Sequence, residues 1–241
     1  MFDAILQHLP ERVMRPLRIA AEAISGSGAR EMETFLDKFK MENVFFVQIG
    51  ANDGKQGDPL HRAIQGNERW RGIFVEPVPF VFERLKSNYN HESRFLFVNA
   101  AVAPEPGVRK FYYVSQLAKN ALRLPYWYDQ IGSFSRTHIR RHFGKEIDQY
   151  IVCHDVQCVT VEQLLCLAKI KSADVFYVDA EGFDYEIVRQ IPFGTHSPRL
   201  IIFEHRHMTR SQHRLTRELL VANGYKLSRV RGNTVAELRS D

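Results

Sequence analysis

VFFVQIGANDG, residues 44–54, joins an apolar run to a segment bounded by glycines. Its first six residues are mostly apolar and favour β-structure, and a turn-forming segment from Gly50 to Gly54 follows them directly. A short apolar run closed by glycines is typical of a buried parallel strand that ends in a tight turn. Nucleotides bind at such turns because glycine lets the backbone approach the ligand and the next helix offers free N–H groups. The spacing is Gly-x-x-x-Gly, which differs from the Gly-x-Gly-x-x-Gly of dinucleotide-binding folds.

On both sides of this stretch, short apolar runs alternate with segments of helical periodicity. Strands are predicted at residues 44–49, 72–75, 95–98, 108–114, 150–159, 174–178, 199–203, 225–230 and 234–238, and helices at about 57–66, 78–89, 161–169, 185–190 and 212–222. This alternation indicates an α/β fold with a mostly parallel sheet and helices on both faces. The closing hairpin adds one antiparallel strand.

The chain divides into an N-terminal helical extension, residues 1–42, and one domain, residues 43–241. A basic amphipathic segment can lie on a membrane surface. Acidic residues interrupt the cationic face, however, so packing of these helices over the open side of the sheet is favoured. Residues of about 115–148 break the regular rhythm and form an insertion, in which Ser135 is expected to cap a helix.

Composition is that of a globular protein with one substantial core. The 241 residues are 44% hydrophobic and 25% charged, and the net charge of +5 favours anionic ligands without indicating nucleic acid. Three cysteines without a CxxC pair favour a reducing compartment. No apolar run is long enough to span a bilayer, and the N-terminus lacks the core of a signal peptide, so we expect a cytoplasmic protein.

Polar side chains follow the predicted strands at their carboxyl ends. Glu76 lies 22 residues beyond Gly54, where a carboxylate can accept hydrogen bonds from ribose hydroxyls. Asn99 could read an adenine edge or simply form a turn. Asp179 and Glu181 are expected to point toward the crevice outside the strand ends, whereas Asp184 is expected to cap the next helix.

Five motifs, in this order and spacing, resemble one known family. They are FVQIGANDG, GIFVEPVP, FVNAAV, YVDAEGFDYEI and LIIFEH, and together they cover about two thirds of the chain, residues 44–205. The set resembles the FkbM-type S-adenosylmethionine-dependent methyltransferases, some of which are sugar O-methyltransferases. This resemblance implies a Rossmann-like class I methyltransferase sheet of seven strands, mostly parallel, with an antiparallel last strand.

The resemblance also implies which residues bind S-adenosylmethionine. Glu76 would hold the ribose, Asn99 and Ala100 would border the adenine, and Asp179 would lie near the methionine end. Gln48 departs from the family, which often has an acid at this position, so a charged contact to the methionine amino group is either missing here or supplied by Asp53 or Asp179. The implied cofactor-binding set is Gln48, Gly50, Asn52, Asp53, Gly54, Glu76, Asn99, Ala100 and Asp179.

Methyl transfer to an alcohol requires an aligned acceptor oxygen and a general base within hydrogen-bond reach of it. His205 and Asp179 are the first candidates for this base, followed by Glu181 and Glu204. Asp179, Glu181 and His205 could instead bind a divalent cation, but carboxylate–histidine clusters suit Mg²⁺ poorly without several waters, and no metal ligand is assigned. His138 and His142, four residues apart, are interpreted as a surface pair rather than a metal pair.

The insertion offers aromatic rings for a sugar face, and two segments of the chain are rich in arginine. We expect a sugar, nucleotide-sugar or glycan acceptor, which carries phosphate or carboxylate if the arginines meet at the crevice. The assigned acceptor-binding residues are Trp127, Tyr128, Phe134, Arg136 and His138.

Two other classes of function remain open at this point. A nicotinamide-dependent oxidoreductase would share the sheet and Glu76 but lacks its expected glycine pattern. A catalytically silent nucleotide-binding or RNA-binding module would use the same turn or the basic helices.

Overall fold

The computed structural model describes residues 27–89, 92–194 and 197–239. The predicted helices of the first 26 residues lie outside the described residues, and so do both alternatives for them, the favoured packing over the sheet and a contact with a membrane surface. Helix α1, Ser27–Leu36, and a 3₁₀ turn, Asp37–Phe39, represent the rest of the extension. Met32, Leu36 and Phe39 are buried in the core against one face of the sheet.

The strands alternate with helices along the chain, as the sequence predicts. The strands are β1 (Val44–Ile49), β2 (Trp70–Val75), β3 (Phe95–Val98), β4 (Ala101–Val102), β5 (Gly107–Val114), β6 (Ile151–Val159), β7 (Val175–Val178), β8 (Leu200–Glu204), β9 (Tyr225–Val230) and β10 (Asn233–Leu238). Seven of them form one sheet in the order β3-β2-β1-β7-β8-β10-β9. Strand β10 runs antiparallel to both of its neighbours, and the other pairings are parallel. The predicted seven-stranded sheet with an antiparallel last strand is confirmed.

Helices cover both faces of this sheet, as predicted. After α1 they are α2 (Pro59–Gly66), α3 (Pro79–Asn88), α4 (Leu117–Ala121), α5 (Arg136–Phe143), α6 (Val161–Leu167), α7 (Asp184–Val188) and α8 (Arg210–Ala222). Successive side chains of a strand point to opposite faces. Phe46 of β1 therefore packs with α1, α2 and α3, whereas Val47 packs with α6, α7 and α8.

Strands β4, β6 and β5 form a separate three-stranded sheet, which the sequence pattern did not distinguish from the main one. The insertion follows β5 and contains α4 and α5. It has its own small core, in which Trp127, Tyr128 and Ile139 are buried. Ser135 stands at the N-cap position of α5, but its hydroxyl makes no cap hydrogen bond, so the predicted capping bond is wrong. Among the described residues, no helix has the length and apolar character needed to cross a membrane.

Candidate functional site

The turn after β1 is fixed by its neighbours in the sheet. The N–H groups of Gly50 and Ala51 both donate to the carbonyl of Val75, each at 3.0 Å. Gly50 has a φ of +74°, and a β-carbon there would lie 1.8 Å from the carbonyl oxygen of Asp179. Only glycine fits, because the ends of β1 and β7 touch at this point. The turn therefore holds the backbone of residue 50 against Asp179.

Glu76 lies beside this turn, as the spacing predicted. Its carboxylate accepts hydrogen bonds from the backbone N–H of Asn52 at 2.9 Å and from that of Val78 at 2.8 Å. The side chain is almost fully buried, and burial raises the pKa of Glu76 to about 7, against the effect of these two donors. A carboxylate anchored in this way has a fixed orientation.

A cavity of about 280 Å³ opens at the carboxyl ends of the central strands. This volume is close to the lower end of the range of small-molecule sites. Six residues of the predicted cofactor-binding set line it, namely Gln48, Gly50, Asn52, Glu76, Ala100 and Asp179. Residues from four separate motifs are thus brought to one wall of one cavity.

Three residues of the predicted set do not line this cavity but support its walls. Asp53 accepts hydrogen bonds from the backbone N–H groups of Lys55 and Gln56, at 3.0 and 2.8 Å. A β-carbon at Gly54 would lie 2.6 Å from a leucine side chain of α3, so this glycine permits close packing. The Asn99 amide donates to the carbonyl of Glu76 at 2.8 Å, which engages it with the backbone.

Sequence reasoning missed Asp58, which lines the cavity together with Gln48. Asp58 is the N-cap of α2 and accepts from the N–H of Leu60 at 2.8 Å, so its pattern indicated only the start of a helix. Its second carboxylate oxygen and the side-chain oxygen of Gln48 are both buried, and neither has a hydrogen-bond partner among the residues that the structure describes. Burial raises the pKa of Asp58 to about 6, and Gln48 acts in the opposite direction. Buried oxygens that line a cavity in this way can accept hydrogen bonds from a ligand, such as one that carries an ammonium group.

Three acids meet at the ends of β7 and β8. Carboxylate oxygens of Asp179, Glu181 and Glu204 lie within 4.8 Å of one another. Burial, followed by the charges of Glu181 and Asp184, raises the pKa of Asp179 well above its usual range. Burial and the charge of Asp179 do the same for the pKa of Glu204. Asp179 and Glu181 line the cavity, but Glu204 does not.

Asp184 does not cap the following helix in the predicted way. It is the first residue of α7, and its carboxylate accepts from the preceding N–H groups of Ala180 and Gly182, each at 3.2 Å. Burial raises the pKa of Asp184 to about 7. The side chain therefore stabilises the turn that presents Asp179 and Glu181.

The structure places His205 away from the cavity, which corrects its interpretation as a residue of the crevice. Its Nδ1 lies 2.9 Å from the hydroxyl of Thr234, and its ring lies beside that of His213. Burial and the charge of His213 lower the pKa of His205 to about 4. Adjacent residues of an extended chain point to opposite sides, so His205 leaves the strand on the side opposite to that of Glu204.

Of the predicted acceptor-binding residues, Phe134 alone lines the cavity. Trp127 and Tyr128 are 6% and 3% exposed in the core of the insertion, so their assignment to a sugar face is corrected. Arg136 forms a hydrogen bond and an ion pair with Asp148 on the outside of α5. Tyr126, Phe183, Arg206 and Arg231 line the cavity instead.

His138 turns toward Glu181, with its Nε2 2.7 Å from the carboxylate. His142 lies behind it, with 3.2 Å between the two Nε2 atoms, so the interpretation of these histidines as a surface pair is wrong. Although burial acts to raise the pKa of Glu181, His138 and its neighbouring histidines hold it below the usual value.

Protonation of Glu76 is expected to affect stability. Its pKa is about 7 in the fold against an ordinary 4.5, so its contribution to stability is fully present below about 4.5 and is lost as the pH rises through about 7. The free energy of unfolding of wild type, measured relative to that of the Glu76→Gln variant, should therefore fall by up to about 3 kcal/mol when the pH is raised from ~5 to ~8. Denaturant unfolding at both pH values measures this difference.

The matched control is Glu83→Gln, at a carboxylate whose side chain is 67% exposed on α3. The difference in free energy of unfolding between this control and wild type should not change with pH over the same range. If the difference between Glu76→Gln and wild type is also independent of pH, the pKa of Glu76 is not raised.

Comparisons with known proteins agree with this architecture. A family model described as the Methyltransferase FkbM domain matches residues 48–227, about three quarters of the chain. A comparison with curated protein sequences found no match.

Several solved structures are similar to this chain at low sequence identity. Precorrin-6y C5,15-methyltransferase from Geobacter metallireducens is 12% identical with a TM-score of 0.43, over 86% of this chain and 87% of that one. A putative methyltransferase from Escherichia coli is 9% identical with a TM-score of 0.41, over 89% and 87%. Fibrillarin from Aeropyrum pernix, solved with natively bound S-adenosyl-L-methionine, is 9% identical with a TM-score of 0.39, over 82% and 66%.

Proposed function

The chain belongs to the FkbM methyltransferase family, with S-adenosylmethionine as its cofactor, and from this premise we propose that it methylates a hydroxyl group of a sugar or glycan-type acceptor. The observation that carries the proposal is the position of Asp179. Its backbone lies against the glycine turn, and the residue lines the same cavity as Glu76 and the aromatic and arginine side chains.

The cofactor half of the cavity has a group for each part of the ligand. Glu76 is held by two backbone donors and has lone pairs left for the ribose hydroxyls. Ala100 would border the adenine, and the buried side-chain oxygens of Gln48 and Asp58 would accept from the amino group. Asp58 would then make the contact that the resemblance implied for Asp53 or Asp179. When bound, S-adenosylmethionine supplies an electrophilic methyl group on its sulfonium.

Asp179 is the proposed general base, since it is a buried acid that lines the cavity and directly follows the strand next to the glycine turn. It would accept the proton of the acceptor hydroxyl as the oxygen attacks the methyl carbon. The protein otherwise aligns the acceptor, which can supply roughly 7–11 kcal/mol of the barrier lowering.

Aromatic rings support a sugar acceptor. Tyr126, Phe134 and Phe183 line the cavity, and the last two are in contact with 4.7 Å between ring centroids. Such rings offer flat apolar surface to the C–H face of a sugar, while the acids and arginines accept and donate hydrogen bonds.

Arginine side chains support an anionic acceptor. Arg206 and Arg231 line the cavity, whereas Arg136 and Arg140 pair with Asp148 away from it.

We expect Arg231→Gln to raise the KM for the acceptor by about 10-fold to 150-fold, because the variant loses one charge-assisted hydrogen bond to the acceptor, and to change kcat little. Initial rates at varied acceptor concentration measure this effect, which should shrink with added salt.

Arg217→Gln, on the exposed side of α8, is the matched control and should leave the KM unchanged. An acceptor KM that does not respond to Arg231→Gln or to salt would count against an anionic acceptor.

The acceptor class is tested by a screen of glycans and nucleotide sugars with labelled S-adenosylmethionine, followed by mass spectrometry of the products. The expected product carries one additional methyl group on a sugar oxygen. Transfer to nitrogen, or to no carbohydrate while another acceptor class is methylated, would overturn the proposal.

A further inference from the structure

We propose that three histidines and one glutamate next to the cavity bind a divalent transition-metal ion of the zinc type. We call them the histidine cluster; its members are His138, His142, Glu181 and His207. Metal binding by this cluster does not depend on the proposed function, since it can be measured without methyl transfer.

The donors of the histidine cluster come from three separate parts of the chain. His138 and His142 are one helical turn apart on α5 of the insertion, so they share a face. Glu181 lies in the turn after β7, and His207 follows β8. Because these segments are distant in sequence, no local motif indicates the site.

The donor atoms have the spacing of a metal site. A zinc ion with bonds of about 2.0–2.1 Å in a tetrahedron has its donors about 3.3 Å apart. The Glu181 carboxylate oxygen lies 2.7, 4.0 and 3.5 Å from the Nε2 atoms of His138, His142 and His207. The two histidines of α5 have their Nε2 atoms 3.2 Å apart. These four distances lie within about 0.7 Å of the tetrahedral value, and all four donors lie within 4.8 Å of one another.

The cluster is shielded from water, and its backbone is held in an uncommon conformation. The four side chains are only 11–17% exposed. Glu181 has a φ of +48°, a region that costs a non-glycine residue energy, and its carboxylate faces the three histidines. One carboxylate oxygen faces three imidazoles, an arrangement that a central cation stabilises.

The ligand types select the class of metal. Imidazole nitrogen suits zinc, copper, nickel and iron, whereas Mg²⁺ prefers oxygen donors and retains several waters. We therefore expect the histidine cluster to discriminate strongly in favour of Zn²⁺ over Mg²⁺.

A bound ion would join α5 to the ends of β7 and β8. Glu181 is both a member of the cluster and part of the cavity wall. Its backbone carbonyl accepts a hydrogen bond from Ser133, which directly precedes the cavity-lining Phe134. The ion would thus fix the wall of the cavity that the insertion contributes.

The test uses the full chain without a histidine tag, freed of metal by chelation and dialysis. Calorimetric titration with Zn²⁺ should give one ion per chain, and Zn²⁺ should raise the thermal unfolding midpoint whereas Mg²⁺ should not. Co²⁺, as a spectroscopic substitute, should give the intense visible absorption of a tetrahedral site.

His142→Ala should weaken Zn²⁺ binding by more than about 100-fold, since even second-shell partners of a metal cost 10–100-fold. The matched control is His154→Ala, at an exposed histidine of β6, which should bind Zn²⁺ like wild type. If metal-free wild type takes up no Zn²⁺ at micromolar concentration, or if both variants bind equally well, the site is overturned. The wild-type titration decides even if a variant does not fold.

Discussion

Asp179→Asn is expected to lower kcat by about 10²-fold to 10⁴-fold, the usual contribution of a positioned general base. Asparagine keeps the shape of the side chain but cannot take the proton of an acceptor hydroxyl. Asp179 is placed for this role by packing, because the absence of a β-carbon at Gly50 lets the two strand ends touch. Single-turnover methyl transfer with saturating cofactor measures the chemical step directly.

Two other readouts separate a catalytic loss from a structural one. S-adenosylhomocysteine should still bind to the Asp179→Asn protein. The thermal unfolding midpoint of this variant should not fall below that of wild type, because the neutral amide removes the repulsion between residue 179 and the carboxylates of Glu181 and Asp184. Asp174→Asn is the matched control, since Asp174 directly precedes the same strand and accepts from the N–H of Phe45 at 2.8 Å. Near-normal turnover by Asp179→Asn would exclude it as the base and leave Glu181 as the cavity-lining alternative.

The strand ends could be predicted because their signals are local in sequence. An apolar run such as residues 44–49 is buried on both sides and predicts a central strand, and the turn and acid that follow the first two strands meet at one edge of the sheet. Gly50 and Glu76 therefore stand where the sequence placed them, beside one cavity.

Residues of the insertion could not be placed in this way. An aromatic residue in an irregular segment can face a ligand or fill a small core, and composition does not distinguish the two. Trp127 stacks on Phe143 within the insertion, with 5.4 Å between ring centroids, whereas Tyr126 beside it lines the cavity. The choice depends on the packing of α5 against β5, which is a tertiary contact.

The histidines show the same limit more sharply. The spacing of His138 and His142 predicts only a shared helix face, and that face meets Glu181 because the insertion folds back over the end of β7. His205 directly follows Glu204 in the sequence but its ring contacts Thr234, while the ring of His207 points toward Glu181. A shift of one residue at the end of a strand turns a side chain to the other face, and the hydrophobic periodicity of the sequence does not specify strand ends to one residue.

Glu76→Gln is expected to weaken the binding of S-adenosylhomocysteine by about 10-fold to 150-fold at pH ~8, the loss of one hydrogen bond to a charged group. The carboxylate receives the N–H groups of Asn52 and Val78 on its two oxygens. Glutamine has one oxygen, so its amide must face one of these donors, and the ribose loses its ionised acceptor. Calorimetric titration measures the affinity, and circular dichroism checks that the variant is folded.

Glu83→Gln serves again as the control, because its exposed carboxylate pairs with Lys86 on the surface of α3 and should not affect the affinity. NAD should bind neither wild type nor variant, which separates an adenosyl sulfur site from a nicotinamide site. Unchanged affinity in a folded Glu76→Gln protein would mean that the acid serves the turn alone. The ribose would then be held elsewhere, and the glycine turn and Glu76 would share an edge of the sheet without forming one binding site.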